Sequence, residues 1–132
     1  MFAVYQNPLQ AYQSVDQTTL PGREAEAVIL TKAAHKLKAC QSDWSSPDRD
    51  ARLDEALRYN QRLWSILQGE LSRDDNPLPK EIRLNLLRLS AFVDRRIIEL
   101  MAQPESGKLN ILITINQNIA AGLRERPAVN DN

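Results

Sequence analysis

Apolar residues recur at helical spacing almost without a break from Ala51 to Leu123, and no stretch alternates with the period of two that marks a half-buried strand. Proline and glycine punctuate the pattern at Pro21 with Gly22, at Pro47, at Pro77 with Pro79, and at Pro104 with Gly107. Proline lacks the helical donor and both residues favour turns. These marks therefore divide the chain into four main helices, roughly Pro21 to Gln41, Pro47 to Leu71, Pro79 to Gln103 and Ser106 to Leu123. A mobile or short helical lead containing Tyr5 and Tyr12 precedes them, and a polar tail from Arg124 to Asn132 is expected to fray. Ser46 stands where it can cap the second helix, with Pro47 in the first helical position and Asp48 near the positive end of the dipole. Asp74 to Pro79 predicts a proline-locked connection in which Asx side chains bond their own backbone. Ser106 is placed to cap the last helix. Short links between long amphipathic helices favour antiparallel neighbours. The expectation is an all-α, single-domain small helical bundle over residues 1–132, with its core at about 21–123.

At about 100° per residue, the second helix aligns Leu53, Ala56, Leu57, Asn60, Leu63, Trp64, Leu67 and Leu71 as a core stripe, with Tyr59 and Ile66 outside it. The third aligns Ile82, Leu86, Leu89, Val93, Ile97 and Leu100, while Leu87, Ile98 and Met101 form another band further round. In the fourth, Leu109, Leu112, Ile113, Ile119, Ala120 and Leu123 fill one face, and Ile111 and Ile115 widen the apolar arc to roughly 200°. A surface helix needs an apolar sector of little more than about 100°. The surplus implies either a helix covered on most sides or a docking surface. The first helix offers only Ala25, Ile29, Leu30, Ala33, Leu37 and Cys40. So small a stripe predicts the weakest docking, and a helix that could lift to uncover the surplus bands.

Composition narrows the function. With 17 basic and 17 acidic residues the chain has zero formal charge, so no global field favours nucleic acid or an anionic membrane. Cys40 is the single cysteine, which excludes an internal disulfide and suits a reducing compartment. The start lacks a signal-peptide pattern, and no apolar run approaches the roughly 20 residues of a membrane span, so a cytoplasmic protein is expected.

Catalytic chemistry has no foothold in the pattern. Only four glycines are present, and no phosphate loop, nucleophile elbow or metal-binding histidine pair occurs. His35 lies among Lys32, Lys36 and Lys38 with no second histidine, and reads as a solvated side chain. Cys40 falls on an apolar face and reads as a small buried hydrophobe. Asn60, Asn116 and Asn118 read as polar contacts that fix helix register. Asp94 with Arg95 and Arg96 reads as a surface ion pair or a brace to a neighbouring helix. No enzyme, cofactor or metal is expected.

Four segments taken together carry a resemblance. They are Leu57-Arg58-Tyr59-Asn60-Gln61-Arg62-Leu63-Trp64, Asn76-Pro77-Leu78-Pro79, Phe92-Val93-Asp94-Arg95-Arg96 and Ile115-Asn116-Gln117-Asn118-Ile119-Ala120-Ala121-Gly122-Leu123. In this order and spacing they resemble the alphaproteobacterial FlaF family of flagellar biosynthesis regulators. Arg23-Glu24-Ala25-Glu26-Ala27 and Ala11-Tyr12-Gln13 are similar too, whereas Leu20-Pro21-Gly22 departs from the family's usual Ser/Thr-Pro-Arg-Glu start.

The resemblance implies a cytoplasmic, non-enzymatic protein that acts on flagellin, supports its synthesis and export, and works alongside the translational regulator FlbT. Flagellin's terminal segments are expected to be amphipathic helices that stay disordered before assembly, which a bundle with spare apolar bands could hold by helix-in-groove binding, as a secretion chaperone does. The candidate contacts are Tyr59, Leu63, Ile66, Leu87, Ile98, Met101, Ile111 and Ile115, with Met101 adaptable and Tyr59 rigid. Two other readings remain. A regulator contacting flagellin messenger RNA would need a basic stripe, for which Lys32, Lys36 and Lys38 are the candidates. Alternatively, the spare bands could close a homodimer.

Overall fold

Each interruption of the apolar pattern becomes a connection in the computed structural model, which describes residues 21–125. The elements are α1 (Pro21–Ser42), α2 (Arg49–Leu71), α3 (Lys80–Ala102), a 3-10 turn (Ser106–Lys108) and α4 (Leu109–Glu125). The described residues form an all-helical bundle without strands, as the periodicity predicts. The expected lead with Tyr5 and Tyr12, and the tail beyond Glu125, lie outside the described residues.

The helix ends follow local chemistry, with two changes. Ser46 does not cap α2. Its hydroxyl donates to the Asp48 carboxylate, and its carbonyl accepts the Arg49 N–H at 3.0 Å, so Pro47 and Asp48 belong to a turn and α2 begins at Arg49. At the far end, α4 is entered through a 3-10 turn over Ser106–Lys108 rather than directly from Ser106. The α2–α3 connection is the expected Asx structure. The Leu78 N–H donates to Asn76 Oδ1 at 2.9 Å, and Asn76 Nδ2 donates to the Glu70 carbonyl at 2.8 Å. Arg83 reaches back to donate to the carbonyls of Leu71 and Arg73 at 3.3 and 3.2 Å, joining the Asn76 N–H on the second and satisfying the first where α2 ends.

The docking of α1 reverses the expectation of a weak gate. Ala27, Ala33, Ala34 and Leu37 are fully buried, and α1 with α4 forms the closest helix pair of the bundle. Small side chains limit the area each residue buries, but they let two backbones approach and pack along their length. Polar ties hold both ends. Gln41 Nε2 donates to the Ser106 carbonyl and to Asn110 Oδ1, each at 2.8 Å, and Arg124 pairs with Glu24 at 3.3 Å.

A buried polar network joins three helices. Trp64 Nε1 donates to Asn116 Oδ1 at 3.0 Å, and Asn116 Nδ2 donates to Asn60 Oδ1 at 2.7 Å. Asn60 Nδ2 in turn donates to the carbonyls of Ala33 and Ala56 at 3.2 and 2.9 Å. Sliding any of α1, α2 or α4 would strand a buried donor or acceptor, at about 1–3 kcal/mol each, so the network fixes register. Asn118, expected to share that role, is exposed, because two residues turn it about 200° from Asn116.

Cys40 is buried on α1, and burial raises its thiol pKa against the opposing effect of nearby Arg52. A thiol reagent at pH 8 should therefore modify the native protein at least about 100-fold more slowly than the urea-unfolded chain. Comparable rates would mean that α1 opens freely.

Candidate partner-binding surface

The third helix is held differently from the others. Among the described elements its principal neighbour is α2, and its link to the entry of α4 is the Arg96 Nη1 donation to the Lys108 carbonyl at 3.2 Å. Gln68, three residues before the end of α2, donates to Asp94, which lies fourteen residues into α3, at 2.8 Å. In an antiparallel pair this offset carries the first two to three turns of α3 past the end of α2, roughly 10–15 Å at 1.5 Å per residue. Burial agrees with that register: no residue from Lys80 to Leu89 is buried, whereas Ser90, Val93, Ile97 and Leu100 are. Ile82, Leu86 and Leu89 were expected to extend the core stripe. Ile82 is instead 45% exposed and Leu86 half-buried, because among the described helices none runs far enough to cover them, whereas half-buried Leu89 packs against the edge of the core.

On the far side of α3, Leu84, Leu87, Ala91 and Ile98 fall within about 60° of one another at 100° per residue. They lie roughly opposite Val93 and Leu100. Leu84 is 41% exposed, Ile98 is 58% exposed, Ala91 is exposed and Leu87 is half-buried. They form an outward apolar stripe whose ends, Leu84 and Ile98, are about 21 Å apart along the axis at 1.5 Å per residue. Arg88 and Arg95, both exposed, border it.

The eight candidate contacts do not form one surface. Leu87 and Ile98 lie on the stripe, and half-buried Met101 continues around its upper end. There Met101, Leu53, Leu57, Leu100 and Pro104, together with Asp50 and Asp54, line a cleft between α2 and α3. Ile111 is 38% exposed but belongs to α4. Ile66 is half-buried against the core. Leu63 and Ile115 are core residues and not contacts: Leu63 is buried on the inward stripe of α2, where its spacing also placed it, and Ile115 is only 8% exposed. Charging Ile115 would consequently unfold the bundle rather than report on binding. The wide apolar arc of α4 is thus mostly consumed by burial, and only Ile111 remains outside.

Tyr59 sits on the α1–α2 flank, with the ammonium groups of Lys32 and Lys36 at 5.9 and 5.1 Å from its ring centre. Its hydroxyl is shut from solvent, and burial raises its pKa against the pull of Arg62. Lys36 also pairs with Glu55 at 2.9 Å. These contacts engage two of the three lysines considered for RNA. Asp94 bonds Gln68, while Arg96 pairs with Glu99 at 2.9 Å and holds the α3–α4 connection, so this cluster braces neighbouring segments.

Leu84 escaped the sequence reading. The signal was present: Ile82, Leu84 and Leu86 alternate inside a helix, a spacing that sends Leu84 about 200° from Ile82 and cannot serve one face.

The family model described as flagellar protein FlaF matches residues 8–123. The chain belongs to the FlaF family. No curated protein and no solved structure matches it. The FlaF match covers the α3 stripe and nearly all of the described bundle, so the surface lies within the family's shared region. This FlaF-family chain is therefore flagellar, and among its described residues no helix is long and apolar enough to cross a membrane.

Proposed function

We propose that this FlaF-family protein is a cytoplasmic, non-enzymatic chaperone that binds flagellin by its terminal helices, and thereby controls flagellin synthesis and export. The outward stripe of α3 carries this reading. Leu84, Leu87, Ala91 and Ile98 present an apolar line to which a partner's amphipathic helix could lie parallel, burying its own greasy face. A flagellin terminus held in this way is kept from premature polymerisation. Met101 at the end of the line supplies a side chain that adapts to the partner.

The test is titration of purified flagellin, whole and with both terminal segments removed, against the full chain. Whole flagellin should bind, and the truncated form should bind at least about 100-fold more weakly, a difference of about 2.7 kcal/mol. Equal binding by the two forms would refute helix capture.

A further inference from the structure

We propose that residues 1–20 of this same chain dock on the inner face of the α3 overhang, against Ile82, Leu86 and Leu89. This is a second surface, on the opposite side of α3 from the stripe, and it does not depend on flagellin binding.

Topology favours this occupant. The inner face continues the line of Val93, Ile97 and Leu100 beyond the region that α2 covers, so the core stripe outruns the described helices. Because α1 and α2 are antiparallel neighbours, Pro21 at the start of α1 lies at the end of the bundle where α2 finishes and α3 begins. Twenty residues precede it. Five extended residues already span about 16 Å, so the segment can reach the overhang and run its length.

Composition points the same way. Phe2, Tyr5, Leu9, Tyr12 and Val15 supply apolar groups, and the only charged side chain among residues 1–20 is that of Asp16. Of the nearby basic residues, Arg88 borders the outward stripe and Arg83 is drawn to the carbonyls of Leu71 and Arg73, so an apolar, nearly uncharged segment matches the inner face.

The experiment places the photo-crosslinking residue p-benzoylphenylalanine at Ile82 in the full-length protein, followed by irradiation, intact mass measurement and peptide mapping. Adducts should form within single chains and map to residues 1–20. Adducts at twice the chain mass, adducts confined to residues 21–125, or no adducts would each overturn the proposal. Hydrogen exchange gives a second readout on the full-length double variant Leu9→Asp/Tyr12→Asp, whose changes lie outside the described bundle. If the lead is docked about nine-tenths of the time, amides of residues 81–89 should exchange about 10-fold faster in the variant. Unchanged exchange there would also overturn the docking. Neither measurement contains flagellin, so the result stands or falls separately from flagellin capture.

Discussion

Replacing Trp64 by alanine should remove about 3–5 kcal/mol of folding stability, read as a lower urea midpoint in far-ultraviolet circular dichroism. Trp64 is the largest fully buried side chain of the described bundle, and small domains have only about 5–15 kcal/mol in total. Two losses combine. Removing the indole leaves a cavity where α2 meets α4. Removing its N–H also leaves Asn116 Oδ1 without the donor that now lies 3.0 Å away. Trp64→Phe separates the two, because it keeps most of the ring and deletes the donor. That variant should lose about 1–3 kcal/mol, the cost of an orphaned buried acceptor. A Trp64→Phe protein as stable as the parent would mean that packing alone sustains the site and that the asparagine network adds nothing to stability.

The second large effect is expected on binding. Leu84→Asp should weaken flagellin affinity by about 10–100-fold, the loss of one well-placed apolar anchor together with the cost of desolvating a carboxylate. Because Leu84 is 41% exposed and beyond the end of α2, stability should change by no more than about 0.5 kcal/mol. Ile98→Asp, at the other end of the stripe, should behave in the same manner. Ile115→Asp is the contrasting case. Buried in α4, it should unfold the protein, and any binding lost with it would say nothing about the surface. Affinities unchanged in both Leu84→Asp and Ile98→Asp would remove the α3 stripe from flagellin recognition.

The helices could be placed from sequence because proline, glycine and Asx residues act over a few positions. The core stripe of α2 could be read because its inward face is covered along its length, from Leu53 to Leu71. The α3 stripe failed where its register against α2 mattered. Ile82 and Leu86 have core periodicity, but periodicity records a face and not whether another helix reaches it, whereas Leu89, further along the same face, does pack against the core. Ile115 failed in the opposite sense, since an apolar residue off the narrowest stripe can still be enclosed by neighbouring helices, while Leu63 lay on the core stripe of α2 and could not serve as a contact as well. For α1, side-chain size suggested weak attachment, whereas the alanines allow the close approach that makes the α1–α4 pair the tightest. Leu87 and Ile98 were legible because they lie nearly opposite the core line of a helix whose principal described neighbour is α2.

That tight pairing joins the first described helix to the last. Its polar ties connect Gln41 to Asn110 and Glu24 to Arg124, separated by 69 and 100 positions in the chain. At a synthesis rate of about 5–20 residues per second, the alanine face of α1 emerges from the ribosome roughly 5–20 s before its mate exists. The nascent polypeptide therefore passes through an interval of open apolar surface, and any truncation before α4 makes that interval permanent.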